Sequence, residues 1–211
     1  MVQPASRGPG RPPAAKAAET RKRILRAARE VFSERGYDAA TFQAIAIRAD
    51  LTRPAINHYF SNKRVLYREV VKETNEVVVT ASVQRAQRET TLIDRVSAFI
   101  DGTTQADIEN RTAAAFLITV ALESKRHPDL SHEEADSIRI TREFLSWAID
   151  DAIKGGELAS DTDASALTET LIAVLLGVGF HAGFVAGRHQ LDQVTRQLHE
   201  LLAGGLTRHP A

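Results

Sequence analysis

The feature that most constrains this chain is the helical spacing of its apolar residues, which starts near residue 20. The first helix face carries Ile24, Ala28, Val31 and Phe32. Gly36 follows at the position typical of a helix C-terminus. No later stretch shows the alternation of apolar and polar residues that is typical of β-strands. After a long helix that begins beyond Ser61, further helices are predicted over 91–108, 111–126, 132–154, 163–187 and 190–203. The sequence therefore predicts an all-α fold.

Two short helices joined by a tight turn are predicted between residues 41 and 60. Thr41 can cap the first of them through its hydroxyl, and Thr52 can cap the second. Asp50 tolerates the left-handed backbone that a tight turn requires. Pro54 lies in the first turn of the second helix, where its missing N–H has no cost. This arrangement is the helix-turn-helix pattern.

The charge distribution separates a basic N-terminal part from an acidic remainder. The formal net charge is zero. Residues 1–75 nevertheless hold 15 Lys and Arg against 7 Asp and Glu, a balance of +8, which leaves −8 for residues 76–211. A basic module of this kind can follow a phosphate backbone. The predicted organisation is a flexible basic arm at 1–18, a helix-turn-helix domain at 19–65 and a second helical domain at 66–211.

Residues 20 to about 70 resemble the DNA-binding domain of the TetR family of regulators. The resemblance rests on the stretch from Thr20 to Tyr37, on Thr41, on Ile45-Ala46 and on the run from His58 to Lys63, all in the family's order and spacing. The turn carries Asp50 where the family commonly has Gly, and Arg64 stands where an acidic residue is common. A cation in the first turn of a helix interacts unfavourably with the helix dipole and destabilises the helix by up to about 1 kcal/mol. A phosphate near the cation would make its net effect favourable.

The resemblance implies that the helix after Thr52 enters the major groove of DNA. Arg53, Asn57 and His58 are the expected base readers, because Arg can pair bidentately with guanine and Asn with adenine. The residues expected to hold the DNA backbone or support the reading helix are Thr41, Thr52, Pro54, Tyr59, Lys63 and Arg64. Plainer roles stay open: Thr52 as a helix cap, Arg53 as a solvated charge and Tyr59 as a residue at the rim of the core.

The N-terminal arm carries a second DNA-binding hypothesis. Its run Arg7-Gly8-Pro9-Gly10-Arg11-Pro12-Pro13 resembles an AT-hook, in which an arginine enters a narrow A·T minor groove. Arg11 is the residue expected to enter that groove. The alternative is a disordered basic tail that only raises nonspecific affinity.

The remaining helices are expected to bind a small, lipophilic effector and to form a homodimer that recognises an inverted-repeat operator. The resemblance places the dimer on helices 132–154 and 163–187. Close helix approach is expected at Gly179, Gly183 and Gly187, against a partner or within the chain. The candidate pocket residues, which could equally fill a core, are Phe99, Thr103, Phe116, Leu117, Val120, Trp147, Phe180, His181 and Phe184. The expected activity is operator repression relieved by the effector.

Two other classes of function stay open. One is a constitutive dimeric DNA-binding protein without an effector, and the other is a helical hydrolase. The hydrolase lacks support because no nucleophile elbow or phosphate loop is present. We predict no cofactor and no metal site, although His127 and His132 with Asp129 or Glu133 are a conceivable chelating group. The chain has no cysteine and no secretory signal, and its apolar run 171–187 is too short to span a bilayer. We therefore expect a buried helix there, no membrane association and a cytoplasmic location.

Overall fold

The computed structural model describes residues 13–104, 108–130, 137–185 and 187–206, and these contain helices but no strands. The helices are α1 Pro13–Ala39, α2 Phe42–Arg48, α3 Arg53–Tyr59, α4 Lys63–Thr74, α5 Ala81–Ala86, α6 Leu92–Thr104, α7 Ile108–Arg126, α8 Ser137–Lys154, α9 Ala164–Phe180 and α10 Arg188–Leu206. Two π-helical segments, Asn75–Thr80 and His181–Val185, continue α4 and α9, and a 3₁₀ turn spans Pro128–Leu130. The predicted all-α fold is confirmed.

Helix α1 starts earlier than expected and is interrupted where expected. It begins at Pro13, so the segment 13–18 assigned to the flexible arm is helical. Proline fits a first helical position because it has no N–H to satisfy there. The regular helix breaks at Gly36, whose φ of 72° and ψ of 175° are conformations that only glycine adopts readily. Residues 1–12, including Arg11, lie outside the described part of the chain.

The predicted helix-turn-helix is confirmed in its local geometry. The hydroxyl of Thr41 accepts a hydrogen bond from the Ala44 N–H at 3.1 Å, and the hydroxyl of Thr52 accepts one from the Ala55 N–H at 3.4 Å. Asp50 makes the turn between α2 and α3 with a φ of 51°. Each of these side chains therefore has the local role that its sequence position predicts.

A first core joins α1 to α4 and is closed by α7. Its fully buried side chains include Ile24, Phe32, Ile45 and Ile56, and the ring of Phe116 from α7 packs among them. Helix α4 contributes four further members of this core, Leu66, Tyr67, Val70 and Val71. The predicted boundary after residue 65 therefore falls inside α4, a helix that belongs to both parts of the molecule.

A second core lies among the remaining helices. It brings the π segment, α5 and α6 together with α8 and α9, and its largest buried side chains include Ile100, Leu145 and Ile149. The end of α4 and the π segment that follows it run from the first core into the second. The two cores are thus joined by one continuous helical stretch.

Helix α9 has a solvent-exposed apolar face, which differs from the buried helix expected for 171–187. Phe180 and Phe184 are each 50% exposed, and their rings lie 5.3 Å apart between centroids at a tilt of 31°. The span Ala164–Val185 is long and apolar enough to cross a membrane by length and composition, with a mean hydropathy of 1.6. Only 28% of it is buried inside the chain. Such an apolar surface marks an interaction face.

Candidate DNA-reading surface and effector cavity

Helix α3 presents its predicted base readers to solvent. Arg53, Pro54, Asn57 and His58 are all exposed, whereas Ile56 on the opposite face is fully buried. The helix is held at its start by the Thr52 cap and at its end by the Phe60 N–H, which donates to the Ile56 carbonyl. The outward face of α3 is therefore an accessible surface on a helix that is held at both ends.

The predicted backbone-holding residues lie beside α3, and their contacts in the free protein differ. Tyr59 is half-buried against the first core, with its ring 5.4 Å from that of His58. The Lys63 ammonium donates to the carbonyl of Tyr37 at 2.7 Å and to that of Asp38 at 3.0 Å, and it lies over the Tyr37 ring. Lys63 thus ties the end of α1 to the start of α4. Arg64 is exposed in the first turn of α4.

Some of the arginines of this domain form ion pairs with carboxylates of the same domain. The Arg48 guanidinium donates to Glu34 at 2.7 and 2.8 Å and to Glu30 at 2.9 Å. These bonds lower the pKa of Glu34 and raise that of Arg48. Arg21 forms a further ion pair with Glu69 at 2.6 Å between α1 and α4. These pairs brace α1 against its neighbours.

The end of α7 makes a polar contact with the last residues of α1. The Glu123 carboxylate is 6% exposed, and one of its oxygens is 2.8 Å from the place where a Cβ on Gly36 would lie. His127 Nε2 is 3.1 Å from Asp38 Oδ2 and 3.6 Å from Glu123 Oε2. His132 and Glu133, the other members of the predicted chelating group, lie outside the described residues.

A cavity opens between the π segment after α4 and helices α6 to α9. The space between its wall atoms is about 640 Å³, a figure that includes open solvent. Its wall consists of Val78, Val79, Phe99, Thr103, Thr104, Ala114, Leu117, Ile118, Ser137, Ile138, Thr141, Ile172, Leu175, Leu176 and Gly179. The polar groups among these described wall residues are hydroxyls. Phe99, Thr103 and Leu117 are the three predicted pocket residues that lie in it.

The other predicted pocket residues lie elsewhere. Phe116 is fully buried in the first core, 5.9 Å from the Tyr67 ring between centroids, and Val120 packs against the same core. Trp147 lies on the outside of α8, where the Arg95 guanidinium is 4.4 Å from its ring centroid. Phe180 and Phe184 belong to the exposed α9 face, and His181, beside them, does not reach the cavity wall.

The three predicted interface glycines make contacts inside the chain. A Cβ on Gly183 would come within 2.8 Å of the Ala115 Cα, so this glycine permits α7 to approach closely. Gly179 faces Ile118 and lines the cavity, and the nearest atom to a Cβ on Gly187 would be the Gln190 side-chain oxygen at 4.0 Å. Gly177 is different, because a Cβ there meets no atom within 4 Å. It lies on the exposed α9 face near Phe180.

The missed cavity residues carry a recognisable pattern. Ala114 and Ile118 follow helical spacing with the predicted Leu117 on α7, and Ile172, Leu175, Leu176 and Gly179 follow it on α9. This spacing identifies an inward helix face. It does not separate a residue that fills a core from one that borders an empty space.

Each of the two parts of the chain matches a known family model. Residues 24–70 match the family model for bacterial regulatory proteins of the tetR family. Residues 92–207 match the model for the C-terminal domain of BetI-type transcriptional repressors.

Curated relatives are transcriptional regulators. UidR of Escherichia coli strain K12 is 24% identical over 159 residues, covering 75% of this chain and 79% of UidR. The transcriptional activator FasR of Mycolicibacterium smegmatis is 40% identical over 88 residues, covering 39% of this chain and 40% of FasR. The repressor BepR of Brucella suis is 44% identical over 57 residues, covering 27% of each chain.

Solved structures share the whole fold. A transcriptional regulator from Saccharomonospora viridis in complex with choline superposes with a TM-score of 0.74 at 19% identity, covering 91% of this chain and all of that one. GusR of Salmonella enterica gives a TM-score of 0.66 at 23% identity, covering 90% and 96%. The same family assignment fits the described helices, the two family models and these relatives. The chain belongs to the TetR family of bacterial transcriptional regulators and is a DNA-binding regulator, not an enzyme.

Proposed function

We propose that this protein is a homodimeric, sequence-specific DNA-binding regulator whose affinity for an inverted-repeat operator is changed by an apolar effector in the cavity. The observation that carries the DNA-binding half is the outward face of α3. Arg53, Asn57 and His58 are exposed together on a helix whose other side is locked in a core. Side chains of these types read base edges in the major groove, and the adjacent cap residues hold phosphates.

The exposed face of α9 is the proposed dimer interface, together with the outer side of α8. A surface with two half-exposed phenylalanines is costly to leave in water. Gly177 on that face gives a partner helix room for close approach. Dimerisation would place two copies of α3 about 34 to 36 Å apart, which is one turn of the duplex. An interface at Ala164–Val185 also accounts for its apolar composition without a membrane, consistent with action in the cytoplasm.

The cavity is the proposed effector site because it lies next to the helical stretch that reaches the DNA-binding domain. Val78 and Val79 of its wall belong to the π segment that continues α4, and the first part of α4 is packed in the first core. A ligand that moves this stretch would therefore move α3 as well. Any such coupling is reciprocal, so DNA must weaken effector binding by the same factor as the effector weakens DNA binding.

The wall chemistry favours a lipophilic effector over a cationic one. The related Saccharomonospora viridis protein binds choline. A quaternary ammonium is held by several aromatic faces. The described wall residues of this chain include a single aromatic ring, that of Phe99, and no carboxylate. We propose that the effector is mainly apolar, and that its binding releases a repressor from the operator. The match to a repressor-type C-terminal model supports repression.

The DNA-reading proposal is tested by selection from random duplexes at a fixed, physiological salt concentration. The wild type should enrich one short inverted repeat. Arg53→Ala and Asn57→Ala should each lose about 1 to 3 kcal/mol of discrimination at one base position per half-site. Arg88→Ala is the matched control, because it removes an exposed cation from the second domain. Specificity that is unchanged in Arg53→Ala and Asn57→Ala would contradict the proposal.

The effector proposal is tested by thermal shift with a panel of apolar compounds. A ligand at 100 times its dissociation constant should stabilise the protein by about 2.7 kcal/mol. The same ligand should then lower operator affinity. A protein that gains no stability from any such compound would instead fit a constitutive DNA-binding function.

A further inference from the structure

The ammonium of Lys63, at the start of α4, contacts the last residues of α1 at three points. It donates to the Tyr37 carbonyl at 2.7 Å and to the Asp38 carbonyl at 3.0 Å, and it lies 4.4 Å from the centroid of the Tyr37 ring. An ammonium carries three N–H donors and no acceptor. Two carbonyls and one ring face therefore match, in number, all the donors that Lys63 has.

These contacts join α1 to α4 close to the reading helix. Helix α3 ends at Tyr59 and α4 begins at Lys63, so three residues separate them. The Asn62 side chain caps α4 by accepting from the Val65 N–H at 2.9 Å. The Tyr37 ring packs against α4, 5.0 Å from the Tyr67 ring between centroids. Because the link is so short, a contact that fixes the start of α4 against α1 also fixes the end of α3.

We propose that Lys63 is a positioning residue for DNA binding and not a phosphate ligand. Of the two roles that the family resemblance leaves for it, holding the DNA backbone or supporting the reading helix, the contacts favour the second. To reach a phosphate, the ammonium would have to break both bonds to the carbonyls. Such charge-assisted hydrogen bonds are about twice as strong as bonds between neutral groups. The inference rests on DNA binding alone and is independent of the operator and of the effector.

The salt dependence of DNA binding separates the two roles. The logarithm of the binding constant falls linearly with the logarithm of the salt concentration, and each neutralised phosphate contributes about 0.9 to the slope. Loss of a phosphate ligand therefore makes the slope shallower by about 0.9 for each protomer that binds. Loss of a positioning contact lowers the affinity by the same factor at every salt concentration.

The experiment measures binding of the full-length protein to a labelled duplex of mixed sequence by fluorescence anisotropy, between about 50 and 200 mM salt. Lys63→Met removes the ammonium and keeps an unbranched side chain. Lys72→Met is the matched control, because it removes an exposed lysine from the last turn of the same helix. Thermal unfolding of each protein without DNA, at one fixed protein concentration, reports on the contact between α1 and α4 itself.

Lys63→Met should bind the duplex about tenfold more weakly at every salt concentration, with the slope of the wild type. Its Tm without DNA should fall by about 3 to 12 °C, whereas Lys72→Met should keep the wild-type slope and Tm. A slope that is shallower by about 0.9 per protomer in Lys63→Met would identify a phosphate ligand and overturn the proposal. An unchanged affinity or an unchanged Tm in Lys63→Met would also overturn it. Failure of the wild type to bind the duplex would instead contradict DNA binding by this chain.

Discussion

Replacing Gly36 with alanine should destabilise the protein where the end of α1 contacts α7. The backbone at this residue, with φ of 72° and ψ of 175°, costs a residue with a Cβ about 1 to 3 kcal/mol. The new methyl group would also lie 2.8 Å from a carboxylate oxygen of buried Glu123, which would have to shift. We expect a total loss of about 2 to 4 kcal/mol, or a fall in Tm of about 4 to 16 °C for a chain of this size.

The assay is urea unfolding followed by far-UV circular dichroism at one fixed protein concentration, because dimer stability depends on concentration. Gly156→Ala is the matched control: its φ is 77°, but an added Cβ meets no atom within 4 Å. It should lose only the backbone strain of about 1 to 2 kcal/mol. In a Glu123→Ala background, the cost of Gly36→Ala should fall to that of the control.

The reasoning would be refuted if Gly36→Ala were no more destabilising than Gly156→Ala. It would also be refuted if the cost of Gly36→Ala were the same with and without the Glu123 side chain. In the first case the contact between α7 and the end of α1 would be loose enough to accommodate an added methyl group.

Three further predictions concern other parts of the chain. Gly177→Leu should shift the protein from dimer towards monomer in sedimentation velocity, and an unchanged dimer would exclude this face as the interface. Gly183→Ala should lower stability in urea by about 1 to 3 kcal/mol through overpacking against Ala115, whereas a gain would show that α7 can move aside. Burial raises the pKa of the Tyr67 phenol, so the contribution of Tyr67 to stability should be constant below about pH 10 and fall above it, where the unfolded chain loses this proton first. Tyr67→Phe should reduce that alkaline loss, measured by urea unfolding across the pH range, and an identical pH profile would contradict it.

The sequence was most informative where local chemistry decides the structure. The caps at Thr41 and Thr52 and the turn at Asp50 depend on hydrogen bonds and backbone angles within four residues. Such features can be predicted from residue type and spacing alone. The exposure of Arg53, Asn57 and His58 on α3 fits the same local pattern, and their role as base readers stays a prediction that the family resemblance implies.

The cavity and the proposed interface were less predictable because they depend on how distant helices pack. Phe99 and Phe116 have similar apolar surroundings in sequence, yet one borders the cavity and the other fills the first core. Gly177 and Gly183 lie in the same apolar run, but one faces open space and the other faces α7. Periodicity identifies the inward face of a helix, and only the tertiary structure shows what lies opposite it.

The central claim, that this chain recognises a specific operator as a dimer, is tested most directly by capture of genomic DNA from its source. Purified protein is mixed with sheared DNA at physiological salt, and the bound fragments are sequenced, since affinity for DNA is meaningful only at a stated salt concentration. We predict enrichment of a short inverted repeat with half-sites about one helical turn apart. Recovery of fragments with no common sequence would contradict the account.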